Sequence, residues 1–188
     1  MKHIVLIGAG SHSVSCIDVL SSRKIFRISN IIDKKIFKYK KYKFILEKDF
    51  LKKNLKGKNL HISVGQLKLG NLRGKLFKYY KSKGCKFPKI IASSSYASKH
   101  SSIDEGTILF HRTIINKNVI IGKNCIINTG AIIEHDVTIE DNVHIAPGAI
   151  ILGNVKIGKN SFIGSGSIIK QNKIIKENTV IPALKYIK

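Results

Sequence analysis

Residues 133–136 read Ile-Glu-His-Asp, so that His135 lies between the carboxylates Glu134 and Asp136. A neutral imidazole can take up a proton, and a neighbouring carboxylate stabilises the imidazolium that forms, which makes His135 with a flanking carboxylate a candidate general base. His144 is expected to face outward and to line the same groove. Gly153 could bring a bare backbone N–H to an oxygen that gains charge during a reaction. A second constellation lies near the N-terminus. Lys2 to Ile7, the turn Gly8-Ala9-Gly10-Ser11-His12-Ser13 and Val14 to Leu20 read as strand, glycine-rich turn and helix. Such a turn sets backbone N–H groups and a helix N-terminus against a phosphate. Asp33, closing the apolar stretch Ile28 to Ile32, can accept hydrogen bonds from a ribose or a base. Ser13 replaces the third glycine of the dinucleotide pattern, and the space suits a mononucleotide joined to another group better than a dinucleotide. Tight packing of the glycines without any ligand is the alternative. No Ser-His-Asp order and no metal-ligand spacing competes, and no metal is expected. Cys16, Cys85 and Cys125 are odd in number and lack CxxC spacing, which argues against a disulfide framework or a zinc site and fits a reducing cytoplasm.

The elements that must position these residues are of two kinds. From Ile103 to Ile181 every sixth residue is Ile, with Leu109 as the one exception. Four places after each stands a mostly small or β-branched residue, with a break at Lys173. A helix of period 3.6 cannot give this spacing, whereas a triangular prism of short parallel strands can, with one aliphatic residue per side filling the axis. Asn, Asp and Gly at the turns supply the corners. The repeat predicts four to five coils of left-handed parallel β-helix over residues 93–188, with Ser93–Ser102 as a linker. The residue before each inward Ile points outward. One face then carries Ile114, Ile132, Ile150 and Ile168, too apolar to be left wet. A second carries Ile108, Ile126, His144, Phe162 and Val180, and a third Ile120, Thr138, Lys156 and Ile174. The first face is expected to be a subunit contact in a closed ring, most simply a homotrimer.

Residues 1–92 read as a small α/β, Rossmann-like nucleotide-binding domain, with strands at Leu60 to Val64, ending at Gly65, and at Lys86 to Ile91, and a helix over Leu67 to Ser82. This half holds 23 Lys or Arg against 4 Asp or Glu, whereas residues 93–188 hold 11 against 7, so most of the net charge of +23 belongs to the first half. Bases and aromatics alternate over residues 36–44 as they do in some single-strand binders. A solvated strand and loop is the reading preferred, and no specific nucleic acid partner is expected. No apolar run approaches the ~18 residues of a membrane span, so neither insertion nor a signal peptide is expected, and the protein reads as cytoplasmic.

Together, Gly8-Ala9-Gly10-Ser11-His12, Asp33-Lys34, Ile62-Ser63-Val64-Gly65, Asn128-Thr129-Gly130-Ala131, Ile133-Glu134-His135-Asp136 and Gly153-Asn154-Val155-Lys156-Ile157-Gly158 resemble the NeuD/PglD-type sugar acetyltransferases of the hexapeptide-repeat superfamily. The resemblance implies that His135 is the general base and that Asp136 orients it. It places a nucleotide-sugar acceptor at Gly8, Gly10, Ser11, His12, Asp33, Lys34 and Gly65, with Asn128 near its sugar. It sets His144, Gly153 and Gly164 at the acetyl-CoA end, and it implies trimers with the active site between neighbouring β-helices. The expected activity is N-acetylation of a nucleotide-linked amino sugar for bacterial surface glycans. O-acetylation of a sialic-acid-like nonulosonate and a non-catalytic role in a sugar-biosynthesis complex are the alternatives. Asp136→Asn is expected to do less damage than loss of His135. The family usually has Gly where Ser11 stands, and usually ends in a further Gly-Ala-Gly-Ser coil and a Gly-Val-Pro-Ala-Lys tail. Here the irregular Lys170-Gln171-Asn172-Lys173 leads to Ile181-Pro182-Ala183-Leu184, which predicts a reduced platform for CoA.

Overall fold

The computed structural model describes residues 1–35, 42–66 and 71–188. The chain divides into two units, Met1–Gly65 with Leu72–Pro88, and Lys89–Lys188 with Gln66–Asn71.

In the first unit, Lys2–Ile7 (β1), Ser11–Ser22 (α1), Phe26–Asp33 (β2), Phe44–Leu46 (β3), Glu47–Phe50 (α2), Leu60–Ile62 (β4) and Leu72–Ser82 (α3) follow one another. The four strands form one parallel sheet in the order β3-β2-β1-β4. The last four residues of β1 and all of β4 are buried, as near-continuous apolar strands in a parallel sheet should be. Val5, Ile7, Leu60 and Ile62 pack with Phe77, Tyr80 and Phe87. Strands are added to one side of β1 and then β4 to the other. Such a reversal opens a crevice at the carboxyl ends of the central strands, where ligands of open α/β sheets bind. The alternating run over residues 36–44 lies mostly outside the described residues, as do residues 67–70, where the helix was expected to begin.

The stretch Lys86 to Ile91, read as one strand, is divided by Pro88. Lys86 forms an isolated parallel bridge with Asn59 in the first unit, whereas Ile90–Ile91 is the first side of the second. Proline has no N–H for a ladder and so marks this junction. From there to Tyr186–Ile187 the second unit is a parallel β-helix whose two-residue strands stack into three sheets of five, six and six strands. Ser93–Ser102 is therefore no linker but part of the first coil, with sides at Tyr96–Ala97 and Ser102–Ile103. The smaller Ala97 stands in an inward slot and hides the period. Lys170 to Lys173 is likewise regular, because Asn172 adopts the same positive φ (62°) as the other corner asparagines.

The inward residues Ile115 to Ile169 are at most 1% exposed and form one column. At two of the three corners an Asn or Asp takes the left-handed conformation, which these residues tolerate better than others. Their side chains then join coil to coil: the amide of Asn124 donates to Asn142 (2.8 Å), Asn142 to Asn160 (3.3 Å) and Asn160 to Asn178 (3.1 Å). Of the outer faces, Ile108, Ile126 and His144 are buried within the chain, Ile132, Ile150 and Ile168 are half-buried, and Ile120 and Ile174 are exposed. Among the described residues no helix is long and apolar enough to cross a membrane.

The column gives a stability test. Ile145→Ala should cost about 2–5 kcal/mol in denaturant unfolding because a stacked column cannot close around the lost methyl groups. Ile174→Ala, at a position 72% exposed, should stay within about 0.5 kcal/mol of the parent.

Candidate functional site

Each unit contributes one candidate site. In the first, β1 ends at Gly8, whose φ of +108° suits only glycine and whose missing Cβ would lie 2.7 Å from the Val64 side chain. Gly10 is the N-cap of α1, with no side-chain cap, no acidic residue in the first turn and open space where its Cβ would be. Ser11 is exposed at the first helical position. The N-terminus of α1 thus meets the requirements of an anion site. Asp33 is the strut of the turn: Oδ2 accepts the N–H of Ala9 (2.8 Å), and Oδ1 that of Lys34 (2.6 Å). The carboxylate expected to meet a ribose is therefore already engaged by backbone, and it fixes the glycine turn to the end of β2. Lys34 stands beside it on the surface. Across the crevice, the Cα of Gly65 faces the ring of His12, with its absent Cβ at 3.5 Å from the ring. Ser63 closes the floor by donating its hydroxyl to the carbonyls of Ile7 and Gly8 (3.0 and 2.7 Å).

Sequence reading missed what holds the loop carrying Gly65. The buried Arg73 guanidinium donates to the carbonyls of Ile62 and Val64. Beneath it His61 is fully buried, and burial first and the Arg73 charge second push its imidazole well below the ordinary range. Burial likewise pushes the Cys16 thiol up to about 12, so this thiol is inert at neutral pH. All three cysteines are buried free thiols, and among the described residues no His, Cys, Asp and Glu cluster could hold a metal ion.

In the second unit, Asp136 occupies a left-handed corner slot (φ 62°) and its Oδ2 accepts from Nδ1 of His135 at 2.8 Å. A carboxylate only accepts, so the Nδ1 proton is fixed and Nε2 carries the lone pair. The carboxyl of Asp136 is held below its usual range, first by this hydrogen bond and next by the amide of Asn118 at 2.9 Å. Gly153, one coil on, lies against the imidazole: a Cβ there would be 2.7 Å from Cε1 and 2.8 Å from Nε2 of His135. Glu134 accepts from the Asn116 amide (2.8 Å). The structure therefore brings His135, Asp136 and Gly153 together at one corner.

Asn128 and His144 form a separate cluster. His144 is 4% exposed, its Nδ1 donates to the backbone oxygen of Gln66 (2.7 Å), and its Nε2 accepts from the Asn128 amide (3.2 Å). Phe162 packs edge-on against the ring. His144 does not line a groove with a free nitrogen, as its outward position suggested; it anchors Gln66 and orients Asn128. Gln66 also donates to the carbonyl of Asn142 (3.0 Å). Gly164 is required by packing, since a Cβ would overlap the backbone of Pro182 and Ala183 in the next coil. Of the two clusters, the His135 corner has the parts of a general base.

Gly153→Ala tests the corner. The fold should survive, as judged by circular dichroism, while the imidazole is displaced and the Nδ1–Asp136 hydrogen bond is lost from ¹⁵N spectra of His135. Retention of that bond would contradict the geometry.

Residues 3–78 match the PglD N-terminal domain. Residues 136–171 match the bacterial transferase hexapeptide (six repeats), and residues 112–152 the hexapeptide repeat of succinyl-transferase. No curated protein sequence matches the chain significantly. Among solved structures, the acetyltransferase domain of PglB from Neisseria gonorrhoeae is similar at a TM-score of 0.90 and 22% identity, over 100% of this chain and 92% of that one. A variant of perosamine N-acetyltransferase from Caulobacter crescentus, in complex with CoA and GDP-perosamine, is similar at 0.91 and 23% identity, over 100% and 89%. WeeI from Acinetobacter baumannii is similar at 0.77 and 22% identity, over 99% and 96%. A PglD N-terminal domain match is thus followed by matches to bacterial transferase hexapeptide repeats over the β-helix, the combination on which the resemblance to the NeuD/PglD type rests.

Proposed function

We propose that the protein is an acetyl-CoA-dependent N-acetyltransferase acting on a nucleotide-linked amino sugar. The observation that carries this reading is the His135–Asp136 pair, with Nδ1 tied to the carboxylate at 2.8 Å and Nε2 left as the basic nitrogen. His135 takes the amine proton as the nitrogen attacks the thioester carbonyl, and hands it to the departing sulfur as the C–S bond breaks. Asp136 keeps the imidazole in the required tautomer and stabilises its charged form. Gly153, without a side chain, leaves room for the imidazole and brings its backbone to where a thioester oxygen could lie. The glycine turn, Ser11, His12, Asp33, Lys34 and Gly65 would take the nucleotide, with the α1 N-terminus toward its phosphates, and Asn128 would lie near the sugar. His144 and Gly164 would shape the acetyl-CoA end through packing. The complexes of the fold relatives with acetyl coenzyme A, and with CoA and GDP-perosamine, support this choice of substrates.

The test is an acceptor screen with acetyl-CoA and detection of the released thiol. On the best acceptor His135→Ala should lower kcat by about 10²- to 10⁴-fold without loss of folding. Unchanged activity, or binding of acetyl-CoA with no acceptor acetylated, would sink the assignment. Because Asp136 is held below the ordinary carboxylate range, it stays ionised through weakly acid conditions. Acid should therefore lower activity by taking away the general base and not by neutralising Asp136. A rate that rises on acidification would contradict the base role.

The partly covered face of Ile132, Ile150 and Ile168, continued by Ile114 at 38% exposure, suits the subunit contact of a homotrimer. Replacing Ile132 and Ile150 together by Asp would bury unpaired charge and should convert the trimer to monomers in light scattering. A monomeric parent protein would refute this arrangement.

A further inference from the structure

We propose that Asn118, one coil before Asp136, is a positioning residue that holds Oδ1 of Asp136 and so leaves Oδ2 to His135, and that it sets which end of an amide placed at 136 would meet the imidazole, a proposal that rests on the reading of His135 as the base. One corner slot recurs every 18 residues at 118, 136, 154 and 172, with φ of 59°, 62°, 56° and 62°. Asn fills it everywhere except at 136. The ladder has a direction, for the amide of Asn154 donates to the oxygen of Asn172 (2.9 Å). Asn118 follows the same rule and donates to Oδ1 of Asp136 (2.9 Å). Asp136 departs from it. A carboxylate has no N–H to pass down the ladder, and its second oxygen receives the Nδ1–H of His135 instead (2.8 Å). The ladder thus holds one oxygen of Asp136 and the imidazole the other.

Asp136→Asn, expected from the sequence to do less damage than loss of His135, then becomes about as damaging. Asparagine suits the left-handed corner, so the backbone is undisturbed. With Asn118 donating as the ladder has it, the oxygen of the new amide faces Asn118 and its NH₂ faces His135. Nδ1 then becomes an acceptor, and the imidazole proton moves to Nε2, the nitrogen that must be bare to accept a proton. In Ser-His-Asp triads a carboxylate-to-amide change acting through the wrong tautomer lowers kcat by about 10⁴-fold. Asp136→Ala removes the partner without imposing a tautomer. It should be the less damaging change, although alanine fits the corner backbone less well.

The same geometry prescribes the rescue. Asn118→Asp turns the ladder donor into an acceptor, so that combined with Asp136→Asn the amide turns over, gives its NH₂ to residue 118 and its oxygen to the Nδ1–H of His135. Asn118→Gly, which also suits a positive φ, removes the donor and leaves the amide free to turn.

The experiment compares the parent with Asp136→Asn, Asp136→Ala and the two double variants. Imidazole ¹⁵N shifts of His135 in the free protein should report the Nδ1–H form in the parent, the Nε2–H form in Asp136→Asn and Nδ1–H again in both doubles. This readout needs no substrate, so it stands or falls apart from the acetyl-transfer reading. In turnover, Asp136→Asn should lose about 10³- to 10⁴-fold in kcat with little change in KM, and each double should recover at least about 10-fold of that. The proposal is overturned if His135 keeps its Nδ1 proton in Asp136→Asn, if Asp136→Asn is more active than Asp136→Ala, or if the folded doubles show only additive losses. Thermal melting identifies a double variant that fails to fold, and the other double then decides.

Discussion

The stacking of each corner on the corner 18 residues away is the constraint on which the β-helix site depends. It follows from six residues per side and three sides per turn, and it is kept by an aliphatic column along the axis. The fixed rise places every corner side chain against a like position in the coils before and after it. Asparagine is favoured there twice over, by its tolerance of the left-handed backbone and by an amide that can donate on one side and accept on the other. Chemistry on such a scaffold is made by changing one rung. Asp136 is that change: an acceptor-only group in a donor–acceptor ladder leaves one oxygen for the neighbouring imidazole. Gly153, at the next coil, gives the imidazole the room in which to lie.

The first unit is governed by a different constraint, the close approach of backbone segments at the ends of parallel strands. Gly8 must be glycine because of its φ and because Val64 fills the space beside it. Asp33 ties the turn to β2 and Ser63 ties it to the end of β4, where Arg73 holds the carbonyls. A rigid turn with an uncapped helix N-terminus is preorganised for an anion, whereas a turn held only by solvent would have to be ordered on binding.

The β-helix was readable from the chain because one residue type marks one structural slot. The period failed to show where the slot was filled otherwise: Ala97 made the first coil look like a linker, and Lys173 made a regular corner look broken. His135 and Asp136 were readable because their chemistry is local. Asn118 was not, although a search for polar residues spaced by 18 from Asp136 would have found it. The part of Gln66 in burying His144 had no sequence signal, since it depends on where the chain returns to the β-helix. Asp33 and Gly164 were found for a ligand role, yet their first duty is structural, because a carboxylate near backbone N–H groups or a glycine beside a coil is used by the fold itself.

The central claim is that Nε2 of His135 receives the proton of an acceptor amine. A crystal structure of the protein with CoA and its best amino-sugar acceptor tests this most directly. The account predicts the acceptor nitrogen within about 2.6–3.2 Å of Nε2, with Nδ1 still bonded to Asp136. An acceptor bound with its amine turned away from His135, or directed to another basic group, would contradict it.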